Sequence, residues 1–177
     1  FRTDTLPPGF SADLMVTRHY TQKDYPFIFT NGVQASYVEV DPETGFVKLL
    51  KHWAVEDCGR VLNPMLVDEQ VRGAIVQGIG GVLFEECLYD DSGLLRNGSM
   101  ADYLVPMANE MPDIEVAHVE TPTQSSKLGA KGAGEAGTAG APGAVQNAIN
   151  DALAPFDTTV FDQPITSEKI LRALKKI

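Results

Sequence analysis

The chain has 177 residues, 44% of them hydrophobic and 21% charged, which is one domain's worth of ordinary globular composition. Its formal net charge of -10 disfavours nucleic acid and anionic membrane surfaces as partners, because both attract basic proteins. No apolar run approaches the roughly 18 residues of a membrane span, and no signal or transit peptide is evident.

From the N-terminus, residues 12–20 are expected to form a strand, with imperfect alternation. From Val33 to Val40 the alternation is better: Val33, Ala35, Tyr37 and Glu39 fall on one face, and Gln34, Ser36, Val38 and Val40 on the other. Asp41-Pro-Glu-Thr-Gly45 reads as a tight turn, and Phe46 to Val55 returns as the second strand of a hairpin. Asn63-Pro64 is a helix start, with Asn63 as cap and Pro64 at the first helical position. The apolar spacing of Val71, Ile75, Ile79, Val82 and Leu83 carries that helix to about Cys87. A turn is predicted at Asp90-Asp-Ser-Gly93, and short strands at 102–105 and 114–119. Residues 121–141 read as a long loop of small residues. A helix follows at about 142–153, opened by Pro142, and a last one at about 168–177, capped by Ser167. There is no internal repeat, and the order of elements predicts an α+β fold, a two-layer mixed sheet with packed helices, in a single domain over 1–177.

The two cysteines, Cys58 and Cys87, form no C-x-x-C pair, so neither a disulfide framework nor a zinc or iron–sulfur site made by this chain alone is expected. This usage suits a reducing cytoplasm. His19, His52 and His118 are far apart in sequence, and no Walker A motif is present. Phe1 rather than Met opens the chain, which leads us to expect a processed product or a piece of a longer protein.

Two features ask for a functional reason. The first is the long helix, which carries Gly73, Gly78, Gly80 and Gly81, each costing about 1 kcal/mol relative to alanine. At about 100° per residue, Gln70, Gly73, Gln77 and Gly81 share one nearly bare face with two amide side chains on it. That face suits either a rigid cofactor or close packing of another element.

The second feature is the loop Lys127-Leu-Gly-Ala-Lys-Gly-Ala-Gly-Glu-Ala-Gly-Thr-Ala-Gly-Ala-Pro142, in which one carboxylate, Glu135, sits among residues without bulk. Such a loop can wrap an anionic or planar group, and a carboxylate buried there would be tuned upward into a general base. The alternative is a flexible surface loop with an exposed glutamate. Gly132-Ala-Gly134-Glu-Ala-Gly137 also matches G-x-G-x-x-G, but no strand directly precedes it, as a dinucleotide fold requires.

The loop, followed by Ala144-Val-Gln-Asn-Ala-Ile-Asn-Asp-Ala-Leu153, resembles the C-terminal signature of the xanthine oxidase family, which includes aldehyde oxidoreductases and the carbon monoxide dehydrogenase large subunit. Further matching segments are Val40-Asp-Pro-Glu-Thr-Gly45, Asp57-Cys-Gly59 with Asn63-Pro64, Gln70-x-x-Gly-x-x-x-Gln-Gly-x-Gly80, and Asp102-Tyr-Leu-Val-Pro106. The resemblance covers most of residues 27–175.

It implies the C-terminal subdomain of a molybdopterin-binding subunit, whose molybdenum–pterin centre is a cytosine dinucleotide in bacterial members of similar wording. The centre carries a sulfido or a bridged-copper ligand. The family's activity is hydroxylation of an aldehyde or N-heterocycle with water as oxygen source, or oxidation of a small carbon substrate. The glutamate matching Glu135 acts as the catalytic base, taking a proton from a hydroxo ligand of the metal while hydride passes to sulfur. The glutamine matching Gln70 contacts the metal–pterin centre, and Lys131, Gly132, Ala133 and Gly134 are expected to help hold it through their backbone. Lys127 and Lys131 side chains are expected to be solvated. The implied partners are the remainder of the molybdenum subunit, an iron–sulfur subunit and an FAD subunit. The family's catalytic subunit is several times longer, and its upstream cofactor loops and most of its substrate pocket are not in this sequence, so the chain alone is expected to be inactive. The competing expectation is a non-catalytic assembly or interaction domain of the same fold, and a weaker one is a nucleotide-binding domain.

Overall fold

The structure, a computed structural model, describes residues 6–10, 15–21 and 27–177. Its centre is a three-stranded mixed sheet in the order β1 (Asn31–Val40), β2 (Val47–Asp57) and β3 (Ile114–His118). The first two strands form the expected hairpin. Gly45 N donates to Asp41 O and Asp41 N to Phe46 O, while the Asp41 carboxylate accepts from Glu43 N and Thr44 Oγ1. The pairing slips between Tyr37 and Val38, so that Leu50 is the extra residue of a bulge on β2. β3 lies parallel to β2, with His52 opposite Ile114 and Glu56 opposite His118.

Among the described residues, three α-helices accompany the sheet: α1 (Pro64–Leu83), α2 (Ala136–Leu153) and α3 (Ser167–Ala173). A core of aliphatic side chains fills the space between helices and sheet. Val38 and Leu49 come from the hairpin, Ile75 and Ile79 from α1, and Val145 and Ile149 from α2. The other face of the hairpin keeps Val33, Tyr37 and Val55 exposed. The fold is therefore α+β with one covered sheet face, as expected.

The start of α1 is set by the predicted signal: Asn63 Oδ1 accepts from Leu66 N at 3.3 Å, and Pro64 occupies the first helical position. Asn63→Ala should cost about 1 kcal/mol, read as a shift of the urea midpoint without a change in slope. The end of α1 differs from expectation. The helix stops at Leu83 rather than near Cys87, because Phe84 N and Glu85 N both turn back to Gly80 O. The Glu85 side chain folds over Gly80 and accepts from Tyr103 Oη at 2.6 Å. That bond, together with burial, pushes the Tyr103 phenol up to about 12. Tyr103 itself lies in a turn in which Asp102 N and Tyr103 N both donate to Ser99 O, so residues 102–105 are not the strand their composition suggested.

Other boundaries shift for local reasons. Gly93 N donates to Asp90 O, giving the predicted turn. The last helix is capped by Thr166, not Ser167, and ends at Ala173, with Lys175 in a left-handed conformation just beyond. Of the strand expected over 12–20, residues 15–20 are not strand and 12–14 lie outside the described residues.

The largest correction concerns α2, which begins at Ala136, so that Pro142 lies inside it rather than opening it. A proline removes only its own N–H and crowds the carbonyl four residues back, here Thr138 O. That carbonyl lies against Gly78 of α1, where a Cβ would stand 2.9 Å from it and 3.1 Å from Pro142 Cδ. The two helices cross at a second bare point, Gly137, whose missing Cβ would fall 2.5 Å from Val71 O. Of the small residues that read as a loop, those from Ala136 to Ala141 thus belong to the contact of a helix pair, while 121–135 are not helical.

Candidate functional site

The N-terminal end of α2 meets the end of β2 and the exposed side of α1, and the segment before it is tied down by β2. Asp57 is the organising residue. Its carboxylate accepts from Gly59 N at 2.9 Å, Thr121 N at 3.1 Å and Lys131 Nζ at 3.0 Å. Hydrogen bonds from Thr121 and Lys131 hold the Asp57 carboxyl well below the usual carboxylate range. Lys131 N also donates to Cys58 O at 2.7 Å, and Arg60 N to Gly129 O at 3.0 Å. These bonds explain why Asp57-Cys-Gly59 and the glycine-rich segment occur together: one is the anchor of the other.

Lys131 therefore differs from its expected role. Its side chain is 9% exposed and paired with Asp57, so it is not solvated, and its backbone N–H is spent on Cys58. Lys127 is exposed, as expected. The N–H groups of Gly132, Ala133 and Gly134 have no hydrogen-bond partner among the described residues.

Gln70, Gly73, Gln77 and Gly81 are all exposed along α1, and a Cβ at Gly73 or Gly81 would meet open space. No described residue packs on Gly73 or Gly81; the helix contacts of α1 use Gly78 instead. Gln70 turns towards the loop, and its Nε2 lies 3.4 Å from Gly134 O. Residues 64 positions apart are thus brought together with Glu135 next in the chain.

Glu135 is the N-cap residue of α2, with φ -105° and ψ 0°, and its carboxylate makes no capping bond. It is exposed, so the buried cavity expected around it is not closed by the described residues. It lines a cleft of about 410 Å³ with Asn31, Gly32, Gln34 and Glu56. Between this cleft and the bare face of α1, a ligand approaching the loop would meet the Glu135 carboxylate, the Gln70 amide and a run of unspent N–H groups.

Sequence reasoning missed the polar residues beneath the cleft. Glu56 is 2% exposed and His52 is fully buried. Gln34 joins them: its Nε2 donates to Glu56 Oε1 at 3.0 Å and its Oε1 accepts from His52 Nε2 at 3.2 Å. Ser36 Oγ lies 2.8 Å from His52 Nδ1. Burial pushes the His52 imidazole down to about 4 and the Glu56 carboxyl above its usual value. A signal was available, since the hairpin alternation put Gln34 and Ser36 on the same face as Val38 and Val40.

Among the described residues, no group of three or more histidine, cysteine, aspartate or glutamate side chains could hold a metal ion, both cysteines are free, and no helix is long and apolar enough to cross a membrane.

Comparison with known proteins points to a molybdopterin cofactor. The family described as molybdopterin cofactor-binding domain matches residues 9–112, which includes the bare face of α1. The large subunit of nicotine 6-hydroxylase from Paenarthrobacter nicotinovorans is 46% identical over 97% of this chain and 21% of its own length. The carbon monoxide dehydrogenase large chain of Hydrogenophaga pseudoflava is 30% identical over 96% of this chain and 21% of its own. The crystal structure of quinoline 2-oxidoreductase from Pseudomonas putida 86 superposes with a TM-score of 0.84 and 43% identity, covering 98% of this chain and 22% of that one. The chain spans about a fifth of the length of the relatives it matches. By the match over 9–112 and the likeness of these relatives over nearly all of its length, the chain belongs to the molybdopterin cofactor-binding domain family of the molybdenum hydroxylases.

Proposed function

We propose that this chain is the C-terminal part of the molybdenum subunit of a hydroxylase, forming one wall of its molybdenum–pterin site. The observation that carries the reading is the exposed strip of α1, with Gln70 turned to Gly134 O beside Glu135 and open space at Gly73 and Gly81. A planar, hydrogen-bonding, anionic group fits that wall. The strip has no side chains to obstruct a flat ring, Gln70 and Gln77 offer donors and acceptors, and the N–H groups of 132–134 offer positive dipoles to phosphate. Lys131 serves from behind, by fixing the loop to Asp57.

When bound, the cofactor supplies the two-electron acceptor chemistry of a hydroxylation that takes its oxygen from water. Glu135 takes up the proton that this water-derived oxygen must lose as it bonds to the substrate carbon. Its position at a helix N-terminus, without a capping bond, leaves both carboxylate oxygens free for that task. The rest of the enzyme closes the cleft and removes water from around Glu135, which is what a carboxylate base requires. The substrate class is an N-heterocycle or aldehyde. Nicotine 6-hydroxylase and quinoline 2-oxidoreductase, the two relatives quoted above at more than 40% identity, favour the heterocycle. The cofactor is the cytosine dinucleotide form, and the partners are the remainder of the subunit with iron–sulfur and FAD subunits to carry electrons away.

Elemental analysis and mass spectrometry on the chain purified with its native complex test the reading. Near-stoichiometric molybdenum with a released cytosine pterin nucleotide is expected. An intact complex free of both would sink the proposal in favour of a non-catalytic assembly domain.

A further inference from the structure

We propose that Gln34 is the positioning residue of the turn that carries Glu135: its amide, oriented by Glu56 and His52, clamps the first turn of α2. No side-chain cap fixes that turn. It is held from outside by Gln70 Nε2 on Gly134 O, by Thr138 Oγ1 on Ala74 O at 3.0 Å, and by Gln34 Nε2 on Gly137 O at 3.0 Å. Of the three, the Gln34 contact is anchored in a buried network.

The orientation of the Gln34 amide follows from its neighbours. Glu56 Oε1 and Gly137 O are both hydrogen-bond acceptors, so the NH2 group must face them. The amide oxygen then faces His52, which must donate from Nε2, and Nδ1 is left to accept from Ser36 Oγ. Each bond fixes the direction of the next, and Gln34 has no second arrangement that satisfies all of them.

Space for the network is made by two glycines. A Cβ at Gly32 would stand 2.0 Å from Glu56 Oε2, and a Cβ at Gly140 would stand 2.8 Å from Gln34 Cδ. Burying a carboxylate and an imidazole is costly where apolar residues of similar volume would pack. The arrangement gains a defined height and angle for the α2 terminus against β1. A base displaced by about 1 Å loses about 10²-fold in rate, so such a clamp bears directly on turnover.

The role assigned to Gln34 rests on reading Glu135 as the base, whereas the clamp itself does not. The test therefore has two arms, run on the assembled holoenzyme for Q34L and G140A. Q34L removes the clamp. G140A pushes Gln34 aside from the helix side while leaving the Gln34 side chain in place to fill the site, so a merely structural role predicts a change in stability with unchanged kcat. Hydrogen–deuterium exchange across 136–141 is expected to quicken in both variants. The kcat per bound molybdenum is expected to fall by about tenfold or more, with KM little changed. If Q34L fails to assemble, G140A decides. Unchanged exchange overturns the clamp, and faster exchange with unchanged kcat overturns the positioning role. A wild-type complex without molybdenum removes both the cofactor reading and the positioning role, and the exchange arm then still decides the clamp.

Discussion

Glu135→Gln is expected to leave molybdenum and pterin content at the wild-type level while lowering kcat/KM by about 10²–10⁴-fold, the usual worth of a general base. Glutamine keeps the volume and an acceptor oxygen but cannot take a proton. Two competing effects are too small to account for such a loss. The carboxylate makes no capping bond, so its removal does not undo the start of α2. Loss of a negative charge at a helix N-terminus costs about 0.3–1 kcal/mol, against about 3–5 kcal/mol for the expected rate loss. Folding is therefore unaffected in practice, and the variant can be compared at equal cofactor loading. Activity retained at that loading would rule out the base role. Loss of activity together with molybdenum would instead make Glu135 a residue that holds the cofactor.

What could be read from the sequence depended on how local the cause was. The hairpin is local: alternation from Val33 to Val40 and the Asp41–Gly45 turn dictate it, and the structure differs only at its ends and at the bulge near Leu50. The start of α1 is local in the same way. The start of α2 is not. Gly137 and Thr138 read as loop and Pro142 as the opening of a helix, and all three lie inside α2 because α1 presents Gly78 and the Val71–Ile75 backbone to them across the core.

The site divides along the same line. Gln70 and Glu135 could be joined only by resemblance, since their meeting depends on a contact across 64 residues. Lys131 was misjudged because lysine is ordinarily solvated, and only the fold reveals Asp57 beside it. Gln34, Glu56 and His52 escaped notice because alternation places Gln34 and Ser36 on one face with Val38 and Val40 without saying which groups on the neighbouring strand meet them there.

The same network dictates how stability should respond to acid. Burial pushes the His52 imidazole from 6.5 in the unfolded chain to about 4 in the folded one. The unfolded state therefore binds the extra proton first, and the stability His52 contributes is complete above pH 6.5 and lost as pH falls towards 4. At 1.36 kcal/mol per pKa unit the loss is on the order of 3 kcal/mol, a large share of the margin of a typical domain. Protonation would put a second donor at Nδ1, but the Ser36 hydroxyl can turn and accept, so the cost is the buried charge itself rather than a broken bond.

Glu56 works in the opposite direction. Its folded value is raised by burial above 4.5, so the stability it contributes is complete below 4.5 and lost as pH rises through the folded value. The two windows overlap, and Glu56 offsets part of the acid loss due to His52. Urea midpoints measured between pH 7 and 4.5 should thus fall for the wild type, fall more steeply for E56Q, and lose most of the slope for H52Q. The imidazole resonance of His52 should show the neutral form down to about pH 5. An imidazole that titrates near 6.5 in the folded protein would mean that His52 is not sealed between β1, β2 and α2, and Gln34 would then lack the fixed donor that orients its amide.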